Sequence, residues 1–178
     1  MKRRSVLTCL ILMGAPLAAQ DDRPELKRLP RELQILVLAW LDGNCGAGVP
    51  PDTERQLTAV GARVEPAFWE AYRLGPIRIP VEDYRKRYAD RQKWLRQFGN
   101  EQMGRAEAER ALSVSEQQYI ARETQRYREG YQSAGISGLG LTGGTTSLAE
   151  LTKIASNPQD PAQTAAREAL ERIQKRPR

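Results

Sequence analysis

The stretch Gly138-Leu139-Gly140-Leu141-Thr142-Gly143, GLGLTG, decides between two fold classes. It matches G-x-G-x-x-G, which cradles a dinucleotide pyrophosphate when a strand leads into the glycine turn and a helix N-terminus follows. Upstream lies a helical pattern carrying Tyr127 and Tyr131, and no strand–helix–strand unit follows. No Gly-Lys-Ser/Thr closes the stretch as a phosphate loop would require. Six glycines between Gly130 and Gly144 make a chance match easy. The sequence therefore predicts no nucleotide site, and a flexible joint over 134–146 between helical units. Free backbone N–H groups at Gly143 to Ser147 offer one place where an anion could rest.

Outward from this joint the apolar spacing is helical on both sides. Leu33, Leu36, Val37, Trp40 and Leu41 mark an amphipathic helix over Arg31 to Asp42. Asp52 caps a helix carrying Leu57 and Val60, which Gly61 closes. Pro66 opens the next, with Phe68, Ala71 and Tyr72 inward, until Gly75-Pro76. Val81 to Phe98 forms a long helix whose beat of Val81, Tyr84, Tyr88, Leu95 and Phe98 is interrupted at Arg91 or Gln92, and Gly99 ends it. A short Met103 to Leu112 segment follows. Ser113 and Glu116 then read as a capping box before Ile120, Thr124, Tyr127 and Tyr131. Past the joint, Leu148, Leu151 and Ala155 mark a helix broken by Asn157-Pro158. Asp160-Pro161 restarts the chain into Ala162, Ala165, Ala166, Ala169, Leu170 and Ile173. No segment alternates as a strand does, so the fold class is all-α, an irregular array of antiparallel helical hairpins.

The first residues read as an export signal. Lys2, Arg3 and Arg4 precede a short apolar run, and small residues lead to a polar break after Ala19. That run is too short to span a bilayer. Residues 1–19 are expected to be removed, by the ordinary secretory route or, given Arg3-Arg4, by the twin-arginine one. Cleavage lowers the formal charge from +6 to +3, so the bulk charge argues only weakly for a polyanion partner. The remaining organisation is an N-terminal linker over 20–30, a helical domain over 31–133, the glycine-rich linker, and a C-terminal hairpin over 147–175.

The secreted chain keeps one cysteine, Cys45, and has no histidine. Stability must come from packing rather than an internal disulfide. Cys45 reads as a small buried thiol or a link between chains. Without histidine there is no Ser-His-Asp or Cys-His hydrolase, His-ligated zinc or covalent haem. Carboxylates such as Glu65, Glu70, Glu123 and Glu129 supply acids and bases, but spacing pairs none of them. The sequence predicts no catalytic residues, no cofactor and no metal.

Gln56-Leu57-Thr58-Ala59-Val60-Gly61 leading to Val64-Glu65-Pro66 resembles a unit of a HEAT or armadillo-type repeat. So does Leu148 to Ala155 followed by Asp160-Pro161-Ala162 and Ala165 to Leu170. The resemblance covers roughly 52–75 and 147–173, under half the chain. It implies a protein-binding helical surface and no catalytic residues. Two binding modes follow. One is a non-catalytic scaffold or adaptor of a bacterial-type cell envelope, binding another envelope protein or itself through Trp40, Phe68, Trp69 and Trp94. The other is a binder of anionic envelope polymer or membrane surface through Arg85, Lys86, Arg87, Arg91, Lys93 and Arg96. Nucleic acid is a weaker candidate for the same residues.

Overall fold

The computed structural model describes residues 23–176, and the predicted signal over 1–19 lies outside them. The described chain is all-helical, without strands. Its elements are α1 (Pro24–Arg28), α2 (Arg31–Asp42), α3 (Thr53–Val60), α4 (Glu65–Leu74), α5 (Val81–Met103), α6 (Arg105–Leu112), α7 (Glu116–Thr142), α8 (Leu148–Ser156) and α9 (Gln163–Gln174). A π turn over Gly43–Ala47 follows α2, and short 3-10 turns lead into α4 and α8.

The main departure from the sequence reading is at the glycine stretch. The predicted joint over 134–146 is helical through Thr142 and buried from Ala134 to Gly143 except at Ser137. α7 runs unbroken for 27 residues, about 40 Å at 1.5 Å per residue. Each interior glycine costs a helix about 1 kcal/mol relative to alanine. Packing offsets that cost here, because the missing side chains let neighbours approach the helix backbone. A β-carbon on Gly138 would lie 2.6 Å from the Phe68 ring of α4. On Gly140 it would lie 2.9 Å from the Ala169 Cα of α9. Glycines that read as flexibility are close-packing surfaces for two helices.

The core forms around this half of α7. Tyr131, Ile136, Leu139 and Leu141 are buried with Val37 and Leu41 of α2, Leu57 of α3, Phe68 of α4, Leu151 of α8 and Ala166 of α9. The predicted C-terminal hairpin therefore shares one core with the predicted 31–133 domain. The predicted N-terminal linker is also part of it: α1 buries Leu26 against the core. At the far end of α7, Arg176 donates to the carbonyls of Gly143 at 3.0 Å and Gly140 at 2.5 Å. Its positive charge meets the negative end of the helix dipole.

The other half of α7 packs with α5, which also carries α6, outside that core. Tyr84, Leu95, Ala108 and Tyr119 are buried here. The Tyr88 hydroxyl donates to the Val114 carbonyl at 3.0 Å, and its ring meets Tyr119 with centroids 5.5 Å apart. Gly99 does not end α5. It is buried inside the helix, where a β-carbon would come within 3.1 Å of Ala108 Cβ. The helix stops instead at Gly104, whose φ of +81° suits glycine. Where the sequence beat falters, Gln92 is buried with its Nε2 unpartnered in the described structure.

Two caps also move. The capping box is Ser115 with Gln118, not Ser113 with Glu116: Ser115 Oγ accepts from Gln118 N at 3.2 Å, and Gln118 Oε1 from Ser115 N at 3.0 Å. Asp52 precedes α3 at φ +66° and makes no side-chain cap, pairing with Arg55 at 3.1 Å instead.

Candidate functional site

Three of the four predicted aromatic anchors belong to the core. Phe68 is fully buried, Trp40 is 7 % exposed and Trp69 9 %. Both indoles are also committed: Trp40 Nε1 donates to the Ala134 carbonyl at 2.9 Å, and Trp69 Nε1 to Ser147 Oγ at 3.1 Å. The first bond ties α2 to α7 and the second ties α4 to the turn before α8, so neither indole is available as an anchor. Helical spacing alone marks an apolar stripe but does not say whether another helix of the same chain covers it.

Trp94 is different. It is 43 % exposed on α5, and Phe98, one turn later, is 45 % exposed. Their ring centroids lie 6.4 Å apart at 48°, forming a continuous aromatic edge in water. The six basic residues of α5 do not form one stripe. Arg85 is engaged by Glu82 and lies 3.5 Å from Glu116. Arg91 stacks over the Tyr119 ring at 5.9 Å, with Arg122 over the same ring at 5.4 Å. Arg87 turns into a cleft with Tyr84. Lys86, Lys93 and Arg96 remain exposed on the helix surface.

The predicted carboxylates are spent on structure. Glu70, buried, accepts from the backbone N–H groups of Glu25 and Leu26, both at 3.0 Å, and so caps α1 from across the fold. Glu65 accepts from the Ser147 hydroxyl and from Gly144 N at 3.4 Å. The anion predicted at Gly143 to Ser147 is thus supplied by the protein's own Glu65. Glu123 pairs with Arg122 and Arg126 at 3.4 and 3.3 Å, and Glu129 accepts from Gln125 at 2.8 Å.

Sequence spacing missed a cleft where the end of α2, the π turn and the 77–80 loop meet α5 and α7. Its largest compartment, about 720 Å³, is walled by Leu38, Ile77, Ile79, Val81 and Tyr131, with Asp42 and Tyr127 at one side. Smaller compartments of about 270 and 360 Å³ adjoin it along Cys45, Tyr84, Arg87 and Tyr127. Tyr127 faces all three, and its hydroxyl donates to Asp42 Oδ1 at 3.5 Å. The one hint in the sequence was the π turn itself, where Gly43, Gly46 and Gly48 surround Cys45.

Desolvation sets the protonation states in this cleft. It raises the Asp42 carboxyl above its usual range, against the Tyr127 hydrogen bond, which lowers it. Burial, then the nearby Asp42 charge, pushes the Cys45 thiol up to about 11. The same two causes push Tyr127 up to about 12. Tyr84 is raised too, chiefly by burial. A thiol held protonated at neutral pH is not an activated nucleophile. The cleft can donate and accept hydrogen bonds and present charge, which is the chemistry of binding.

No group of three His, Cys, Asp or Glu side chains among the described residues is placed to share a metal ion, and no described helix is long and apolar enough to cross a membrane. No family model matches the chain, and no curated protein or solved structure matches it significantly.

Proposed function

We propose that this chain is an exported, non-catalytic binding protein of a bacterial-type cell envelope, HEAT-like in part, that holds another protein against the Trp94–Phe98 edge of α5. The observation carrying this reading is the pair itself: two large rings exposed side by side on α5, next to the flank that the helix buries through Leu95 and Gly99. Aromatic side chains of this kind dominate interface energetics when a partner covers them. The neutral thiol and the structural duties of the carboxylates support binding over catalysis.

Capture from envelope extract tests it, comparing the chain from Gln20 with Trp94→Ala and Phe98→Ala under stepped salt. The reading requires one defined protein, retained at high salt by the parent chain and released by either substitution. Equal retention by all three chains would sink it. Sedimentation of the isolated chain separates a second copy from a foreign partner.

A second reading rests on Lys86, Lys93 and Arg96, which are exposed and join no ion pair in the described structure. It is adhesion to an anionic polymer or membrane surface. Binding to anionic vesicles that disappears as ionic strength rises, and in the triple substitution to Gln, would favour it.

A further inference from the structure

The smallest compartment of the cleft, about 270 Å³, is faced by both Asp42 and Arg87. They bring opposite charges to one cavity, yet no ion pair joins them. Among the described residues, the Asp42 carboxyl has only the long 3.5 Å hydrogen bond from Tyr127. Of the cations lining the cleft, Arg126 is tied to Glu123 at 3.3 Å, while Arg87, which shares the small compartment with Asp42, and Arg78 of the largest compartment join no ion pair in the described structure. A carboxylate and a guanidinium held apart this way are complementary to a ligand that carries both charges. An ammonium at Asp42 and a carboxylate at Arg87 would each replace water with a charge-assisted hydrogen bond.

The neighbouring compartment defines the rest of such a ligand. Asp42, Pro80 and Tyr127 face both spaces. Beyond them, Leu38, Ile77, Ile79 and Val81 form an apolar wall in about 720 Å³, room for an aliphatic or aromatic side chain. Arg78 lines this compartment too, but Asp42, Glu82 and Asp83 outnumber it, so the balance of charge opposes a simple anion. Tyr84 and Tyr127 line the same small compartment and bring it hydroxyl groups able to donate and accept.

We propose that this cleft binds a small zwitterion with an apolar side chain, an α-amino acid or a short peptide. Its ammonium lies on Asp42, its carboxylate on Arg87 and its side chain along the Leu38–Ile77–Ile79 wall. Amino acid and peptide share this chemistry and differ in how far apart the charges sit. The site is separate from the aromatic edge of α5, and its occupancy does not depend on that surface having a partner.

Titration calorimetry on the chain from Gln20 tests it, with leucine and leucyl-leucine as zwitterions. Isoamylamine and 4-methylpentanoate each keep the side chain and one charge. At least one zwitterion should bind, and each one-charge analogue should bind at least about tenfold more weakly. Asp42→Asn and Arg87→Gln should each weaken the zwitterion by a similar factor. Whichever zwitterion binds more tightly identifies the source. The proposal is overturned if neither zwitterion binds up to about 10 mM. It is equally overturned if an analogue with one charge binds as well, or if both substitutions leave affinity unchanged. The analogue comparison uses the unaltered chain, so it decides the matter even if a substitution disturbs folding.

Discussion

The Phe68 ring fills the space a side chain on Gly138 would need, with three of its carbons 2.6 to 2.7 Å from the position of a β-carbon there. Phe68 is fully buried, so the ring has no solvent side into which to retreat. Gly138→Ala should therefore destabilise the fold by about 2 kcal/mol or more, the overpacking cost exceeding the gain in helix propensity. Gly130→Ala is the contrasting test in the same helix. Its β-carbon would meet only the Cys45 sulfur, at an ordinary 3.8 Å, so propensity should prevail and stabilise by about 0.5 to 1 kcal/mol. Urea unfolding of the two variants should give shifts of opposite sign.

These two glycines also show what the sequence could reveal and what it could not. Helix existence was legible wherever an apolar face and a stop coincided, as at α2, which spans Arg31–Asp42 as predicted, and at α4, closed by Gly75 with φ +74°. Gly99, Gly138 and Gly140 misled because glycine serves two opposed purposes. It breaks a helix when φ must be positive, and it lets helices touch when φ is helical. Only the identity of the neighbour separates these cases, and Phe68 lies 70 residues away from Gly138 in sequence. The same long-range ignorance placed Trp40, Phe68 and Trp69 among the candidate anchors. Arg87 was legible only as one basic residue of a helix, and its meeting with Asp42 and Tyr127 was not, because three distant segments assemble their cleft.

Glu70 should matter more than a carboxylate ordinarily does. It is buried and accepts two backbone hydrogen bonds at the start of α1, where the helix dipole favours negative charge. Glu70→Ala leaves those N–H groups unsatisfied, at a cost of about 2 to 4 kcal/mol. Glu70→Gln keeps acceptor capacity but loses the charge, at about half that cost. Increased hydrogen exchange at Glu25 and Leu26 in both variants would locate the damage at α1; unchanged exchange would contradict this account.

Alkali should unfold the chain well before its backbone is attacked. Below pH 9 the Cys45 thiol and the tyrosine hydroxyls are neutral in both folded and unfolded chains, and their contribution to stability is fully present. As pH rises past the ordinary values of 9.0 and 10.0, the unfolded chain loses these protons first. The folded chain holds them, Cys45 to about 11 and Tyr127 to about 12, with Tyr72 and Tyr131 raised as well. Stability therefore falls between about pH 9 and 12. A Tm that stays level from pH 8 to 11 would refute this, and Tyr131→Phe should flatten the slope.

Tyr72 should act as a clasp on the C-terminal helices. Its hydroxyl donates to Asp160 Oδ2 at 2.6 Å, and Asp160 Oδ1 accepts from Ala162 N at 2.9 Å, at the entrance to α9. Tyr72→Phe should cost about 1 kcal/mol, and Asp160→Ala about 1 to 2 kcal/mol because the turn loses its cap as well. A double-mutant cycle by thermal unfolding should show coupling between the two; strict additivity would mean that the bond contributes nothing.

The late position of the buried half of α7 also sets an order on how the molecule comes into being. Phe68 finds its seat at Gly138, and the Trp40 indole finds its acceptor at Ala134. A growing chain therefore exposes the apolar faces of α2 and α4 through the synthesis of some sixty further residues before their binding surface emerges. Until then the contacts of Phe68 and Trp40 with α7 cannot form. Closure of this core therefore waits until most of the chain has been made.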